Sequence, residues 1–116
     1  MPLYIMFSTL TDEGRKTVTN HPERIEEVNR EIENMGAYVI AQYACLGQYD
    51  FINLIEAPDN EAIMWVSIEL GSRGTVQIMT LPALPIYDFI ERVAHAGQSG
   101  DQGADEDADS SKSPGK

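Results

Sequence analysis

Residues 38–56 read YVIAQYACLGQYDFINLIE, two apolar runs around Gly47-Gln48-Tyr49-Asp50. Tyr38 to Cys45 and Phe51 to Glu56 are rich in β-branched and aromatic residues, the composition of strands. Gly47 permits a turn that other residues resist, and Asp50 suits a place where a carboxylate accepts backbone N–H groups at a strand entry. The runs are close enough in sequence to pair as an antiparallel hairpin, and that hairpin sets the rest of the fold.

Upstream, Leu3 to Thr9 reads as a first strand, with Leu3, Ile5 and Phe7 on one face and Tyr4, Met6 and Ser8 on the other. Thr11 caps a short helical turn from Asp12 to Val18, whose two leading acids suit a helix N-terminus. The main helix opens on Asn20 and Glu23 as a capping box, with Pro22 in its first turn and Gly36 at its C-terminal cap. Ile25, Val28, Ile32 and Met35 recur at helical spacing along its buried stripe. Downstream, Asp59 caps a second helix over Asn60 to Leu70, which Gly71 and Gly74 close as turn residues. A fourth strand, Thr75 to Leu81, stops before Pro82 and Pro85, and Tyr87 to Ala96 forms a short terminal helix. From Gly97 onward Gly, Ser, Asp and Gln dominate, so residues 97–116 are expected to be a disordered acidic tail beside a single domain over residues 1–96.

The order β-α-β-β-α-β is the ferredoxin-like pattern, an α+β fold with a four-stranded antiparallel sheet and helices on one face. The first three strands are apolar on nearly both faces. A sheet with one wet face alternates instead. Two helices cover only one face, so the other is expected to meet a second copy of the chain. Ile63, Met64, Trp65, Val66, Ile68 and Leu70 surround more than one stripe of the second helix, which suggests further assembly there.

Composition excludes several functions. The formal charge is −11, with no basic stripe to neutralise phosphates, so neither nucleic acid nor an anionic membrane is expected as a partner. Cys45 is the single cysteine, which rules out an intrachain disulfide and a Cys-based zinc site. The N-terminal residues lack a basic flank and run straight into a strand pattern, unlike a signal peptide. No apolar run reaches the roughly 20 residues of a membrane span. Cytoplasmic residence is the default.

Taken in order, Tyr4-Ile5-Met6, Thr11-Asp12-Glu13-Gly14, Pro22-Glu23-Arg24, Gly47-Gln48-Tyr49-Asp50, Glu56-Ala57-Pro58-Asp59 and Leu70-Gly71-Ser72-Arg73-Gly74 resemble the GYD domain family. The likeness runs from about Tyr4 to Leu84. It implies a dimeric α/β barrel built on the ferredoxin-like fold, and it assigns no reaction. Arg73 stands where the pattern carries an apolar residue.

Candidate ligand-binding residues are Tyr4, His21, Tyr43, Tyr49 and Asp50. Tyr4 and Tyr43 offer hydroxyls in an apolar setting, while Tyr49 and Asp50 suit the rim of a pocket between helices and sheet. Each also has a plainer reading, as packed rings or a turn carboxylate. His21 and His95 are too far apart in sequence to suggest metal-ligand spacing, so no metal and no cofactor are expected. The favoured reading is a non-catalytic homo-oligomeric module binding a small apolar or aromatic ligand in the cavity between two sheets. One alternative is a cofactor-free monooxygenase or isomerase of the barrel type, with Asp50 or His21 as base. In another, Pro2 becomes the N-terminal base on loss of Met1, an arrangement similar to the tautomerase superfamily, although the central strands lack the arginines those enzymes tend to use. A third is an interaction module that engages a basic partner through the acidic tail.

Overall fold

The computed structural model describes residues 1–103. It forms two compact units, Met1–Ala83 and a second from Leu84 onward. In the first, β1 (Leu3–Leu10), α1 (Asp12–Asn20), α2 (Arg24–Asn34), β2 (Tyr38–Ala44), β3 (Phe51–Glu56), α3 (Asn60–Gly71) and β4 (Val76–Ala83) follow one another. The strands form one sheet in the order β2-β3-β1-β4, and every neighbouring pair is antiparallel. This is the expected ferredoxin-like α+β architecture. β1 and β3 are central because each helical crossover skips one strand position: β2 lands two places from β1 with β3 filling the gap, and β4 returns past β1 to its far side.

One face of the sheet is packed. Tyr4 and Met6 of β1 and Ile55 of β3 are buried with Ile32 of α2 and Ile63, Val66 and Leu70 of α3. Full burial of such side chains stabilises by roughly 1.5–3 kcal/mol each, so this cluster carries the fold. The other face presents Ile5, Phe7, Ile52 and Leu54 on the central strands, with Tyr43 on β2 and Met79 and Leu81 on β4. Tyr43, Met79 and Leu81 are exposed.

Helix ends follow local chemistry. Thr11 accepts the Gly14 N–H at its side-chain oxygen (3.1 Å), and Asp59 accepts that of Ala62 (2.9 Å), so both caps act as expected. The expected capping box of Asn20 and Glu23 is absent: α1 runs through Asn20, and Glu23 precedes α2 without a side-chain cap bond. The reason lies in Pro22. A residue before proline is driven out of the helical region, and His21 sits at φ −141° and ψ 70°, so one helix ends and another begins. Gly47 and Gly74 have φ of +115° and +81°, as turn glycines should, whereas Gly71 is the last residue of α3 with no positive φ. β4 continues through Pro82, beyond the expected end at Leu81. It is an edge strand, where a missing N–H is tolerated.

In the second unit α4 spans Ile86–Gly103, longer than the expected Tyr87 to Ala96. Ile86, Phe89, Ile90 and Val93 recur at helical spacing and are exposed. The expected disordered tail falls, from residue 104 on, outside the described residues.

Candidate functional site

The Gly47-Gln48-Tyr49-Asp50 segment ties the β2–β3 hairpin to β1. Asp50 Oδ2 accepts the Leu10 N–H at 2.7 Å, the Asp50 N–H donates to the Ser8 carbonyl at 2.8 Å, and the Asp50 carbonyl accepts the Cys45 N–H at 2.8 Å. A carboxylate acceptor makes the first of these a charge-assisted bond. Tyr49 lays its ring on Phe7, with centroids 4.8 Å apart and planes tilted by 44°. Because Phe7 belongs to the uncovered face, Tyr49 adds to that face.

The remaining candidates lie elsewhere. Tyr4 is buried, and its hydroxyl donates to Asn60 Oδ1 at 2.6 Å at the start of α3, beside an open groove that Met64, Ser67 and Thr80 help to line. Tyr43 is exposed on the uncovered face. His21 is exposed between α1 and α2, with Nδ1 3.3 Å from Glu23. Tyr43, Tyr49 and Phe7 therefore share the open face, whereas Tyr4 lies on the helix side and His21 in a loop. The five candidate residues do not converge on one cavity. Pro2 lies just outside β1, with its carbonyl accepting the Ala57 N–H at 3.2 Å. Among the described residues, no group of three His, Cys, Asp or Glu is arranged to hold a metal, and no helix is long and apolar enough to cross a membrane.

A different set of polar residues does converge. Between α1, α2 and the sheet lies a cavity of about 170 Å³, walled by apolar side chains that include Met6, Val28, Phe51 and Ile78. Asn53, at the middle of β3, lines it at 6% exposure, and its Oδ1 is fully buried without a hydrogen-bond partner. Its cross-strand neighbour Gln42 exchanges amide hydrogen bonds with Asn29 of α2, at 2.8 and 3.3 Å, and buried Ser8 also lines the space. Sequence reasoning passed over Asn53. The available signal was a lone amide in the apolar run Phe51 to Ile55, at a position sharing the helix-facing side with Ile55.

Arg24 and Arg73 border the same cavity and are held by acids. Arg24 bonds Glu27 and Glu31, at 3.1 and 3.2 Å, while Arg73 bonds Glu31 and, at 3.4 Å, Glu69. The hydrogen bond from Arg73 holds the Glu31 carboxyl below the usual carboxylate range, with the charges of Arg73 and Arg24 acting the same way. The unexpected arginine at position 73 thus locks the loop after α3 onto α2.

Comparison with known proteins then identifies the group. The GYD domain model matches residues 4–93. The chain belongs to the GYD domain family. A GYD relative from Thermus thermophilus, named "Glutamine synthetase and cystathionine beta-lyase binding protein", is 50% identical over 94 residues, covering 80% of this chain and 99% of its own. Among solved structures, MtbAldR is similar with a TM-score of 0.55 at 19% identity, over 72% of this chain and 52% of its own. The leucine response regulatory protein LrpA of Mycobacterium tuberculosis is similar at 0.52 and 14%, over 72% and 51%. This GYD chain spans about half the length of either of these two chains, and at such identities the likeness shows the fold alone.

Proposed function

We propose that this GYD protein is a non-catalytic binding module that works as a pair of copies joined through their uncovered sheet faces, with protein partners in the cytoplasm. The observation that carries the pairing is the face itself. Ile5, Phe7, Tyr43, Leu54, Met79 and Leu81 span all four strands, and the charged residue among its positions is Glu56, at one end. On a chain of net charge −11, most surfaces of two copies repel. Pairing this face brings apolar area together and opposes few charges. A sheet face left wet carries mainly polar side chains, and this one carries mainly apolar ones.

The partner class follows from the Thermus relative, whose name describes binding to two enzymes and which aligns over nearly its whole length. The same class is proposed here, with glutamine synthetase and cystathionine beta-lyase as the first partners to try. No observation favours a cofactor-free enzyme, because Tyr4, His21, Tyr43, Tyr49 and Asp50 do not share a site. The test is biosensor binding of each purified enzyme to the immobilised protein. Saturable binding that survives physiological salt supports the reading. Failure of both enzymes to bind overturns this choice of partner.

A further inference from the structure

The cavity beneath α2 holds an unmet chemical need. A buried amide oxygen without a partner costs on the order of 1–3 kcal/mol, so native folds seldom retain one without an occupant nearby. Asn53 Oδ1 is such an atom, and the cavity that Asn53 lines, about 170 Å³, is several times the share of one water. Its walls are largely apolar, which disfavours filling it with water alone. A closed, wholly apolar cavity of roughly 150 Å³ holds a single aromatic ring, so the volume here suffices for one.

The border limits the charge of an occupant. Arg24 and Arg73 are already engaged by Glu27, Glu31 and Glu69, so no uncompensated cation awaits a carboxylate or phosphate. Gln42 and Asn29 satisfy one another. The buried polar groups left for an occupant are the Asn53 amide and the Ser8 hydroxyl. A hydroxyl both donates and accepts, so it meets Asn53 whichever way the amide is turned.

We propose that this cavity binds a small neutral hydroxyl-bearing aromatic molecule of the phenol class, with its ring among Met6, Val28, Phe51 and Ile78 and its hydroxyl paired with Asn53. The site lies on the helix side of the sheet and does not depend on pairing of copies. It differs from the inter-sheet cavity expected from sequence.

The test uses p-cresol and toluene, which share a shape and differ by the hydroxyl, titrated into the full-length protein and followed by amide NMR shifts. The expected result is shifts centred on Met6, Val28 and Asn53, with p-cresol bound about tenfold more tightly than toluene, the worth of one well-made hydrogen bond. Asn53→Leu should abolish that preference, and Val28→Phe, which fills the space, should abolish binding of both. Equal affinity of the two probes, shifts elsewhere, or a cavity that stays water-filled would overturn the proposal. Should Asn53→Leu fail to fold, the wild-type comparison and Val28→Phe still decide the matter.

Discussion

Asp50 holds the end of β1 by accepting the Leu10 N–H at 2.7 Å, although the two residues are 40 positions apart in sequence. The relation explains why a carboxylate follows Tyr49. β1 is central, and its outgoing turn leads directly to Thr11 and α1, so the carboxylate secures the place where strand becomes helix.

Asp50→Ala should lower stability by about 1.5–3 kcal/mol, the usual worth of a hydrogen bond to a charged group. Asp50→Asn keeps an acceptor and should lose less. Urea unfolding monitored by circular dichroism measures both, and a loss near zero for Asp50→Ala would contradict the anchoring role.

Tyr49 is expected to act through its ring. Tyr49→Phe keeps the stacking on Phe7 and should leave stability unchanged, whereas Tyr49→Ala should cost at least the roughly 0.5–1.5 kcal/mol typical of an aromatic pair. Equal losses in the two variants would assign the role to the hydroxyl instead.

Gly14 is required by close packing rather than by backbone freedom. A Cβ there would sit 2.0 Å from the Thr75 carbonyl oxygen, and the neighbouring Thr11 N–H donates to that same oxygen at 3.0 Å. Backbone atoms cannot step aside as a flexible side chain can. Gly14→Ala should therefore destabilise by about 1–3 kcal/mol or more, read as a lower Tm. An unchanged Tm would show that α1 can shift freely.

The cluster of Glu31 with Arg73 and Arg24 predicts a pH dependence. The folded pKa of Glu31 is lowered, so its contribution is fully present above the ordinary glutamate value of about 4.3 and is lost as pH falls through the depressed folded value. Wild type should exceed Glu31→Gln in Tm at pH 7, and the gap should close on acidification below about pH 4. The group is partly exposed, so the gap should also shrink in high salt. A gap that persists at low pH would contradict the linkage.

Much of the fold was legible because local signals agreed with one another. Thr11 and Asp59 mark helix starts through side-chain oxygens, and Gly36 and Gly74 mark positive φ. Where local rules compete, reading is harder. Asn20 and Glu23 have capping-box spacing, yet Pro22 acts on His21 and places the break inside that box. Pro82 looks like a terminator until β4 proves to be an edge strand. The cavity was less accessible still. Asn53, Gln42, Asn29 and Arg73 are brought together by sheet register and helix packing, and no spacing in the chain announces that meeting. Asp50, in contrast, was readable as a turn acceptor from its place at the entry to the run Phe51 to Glu56, three residues after Gly47.

The central claim is that two copies meet through the uncovered sheet face, and solution mass tests it most directly. Light scattering on the eluting protein should report twice the chain mass of 12.9 kDa, or a multiple of that pair. The double variant Tyr43→Lys and Leu81→Lys places charges at two exposed positions of the face, on strands at opposite edges of the sheet. It should elute as a folded single chain with unchanged far-ultraviolet circular dichroism. A wild type that runs at the mass of one chain, or a double variant that keeps the wild-type assembly, would contradict the account.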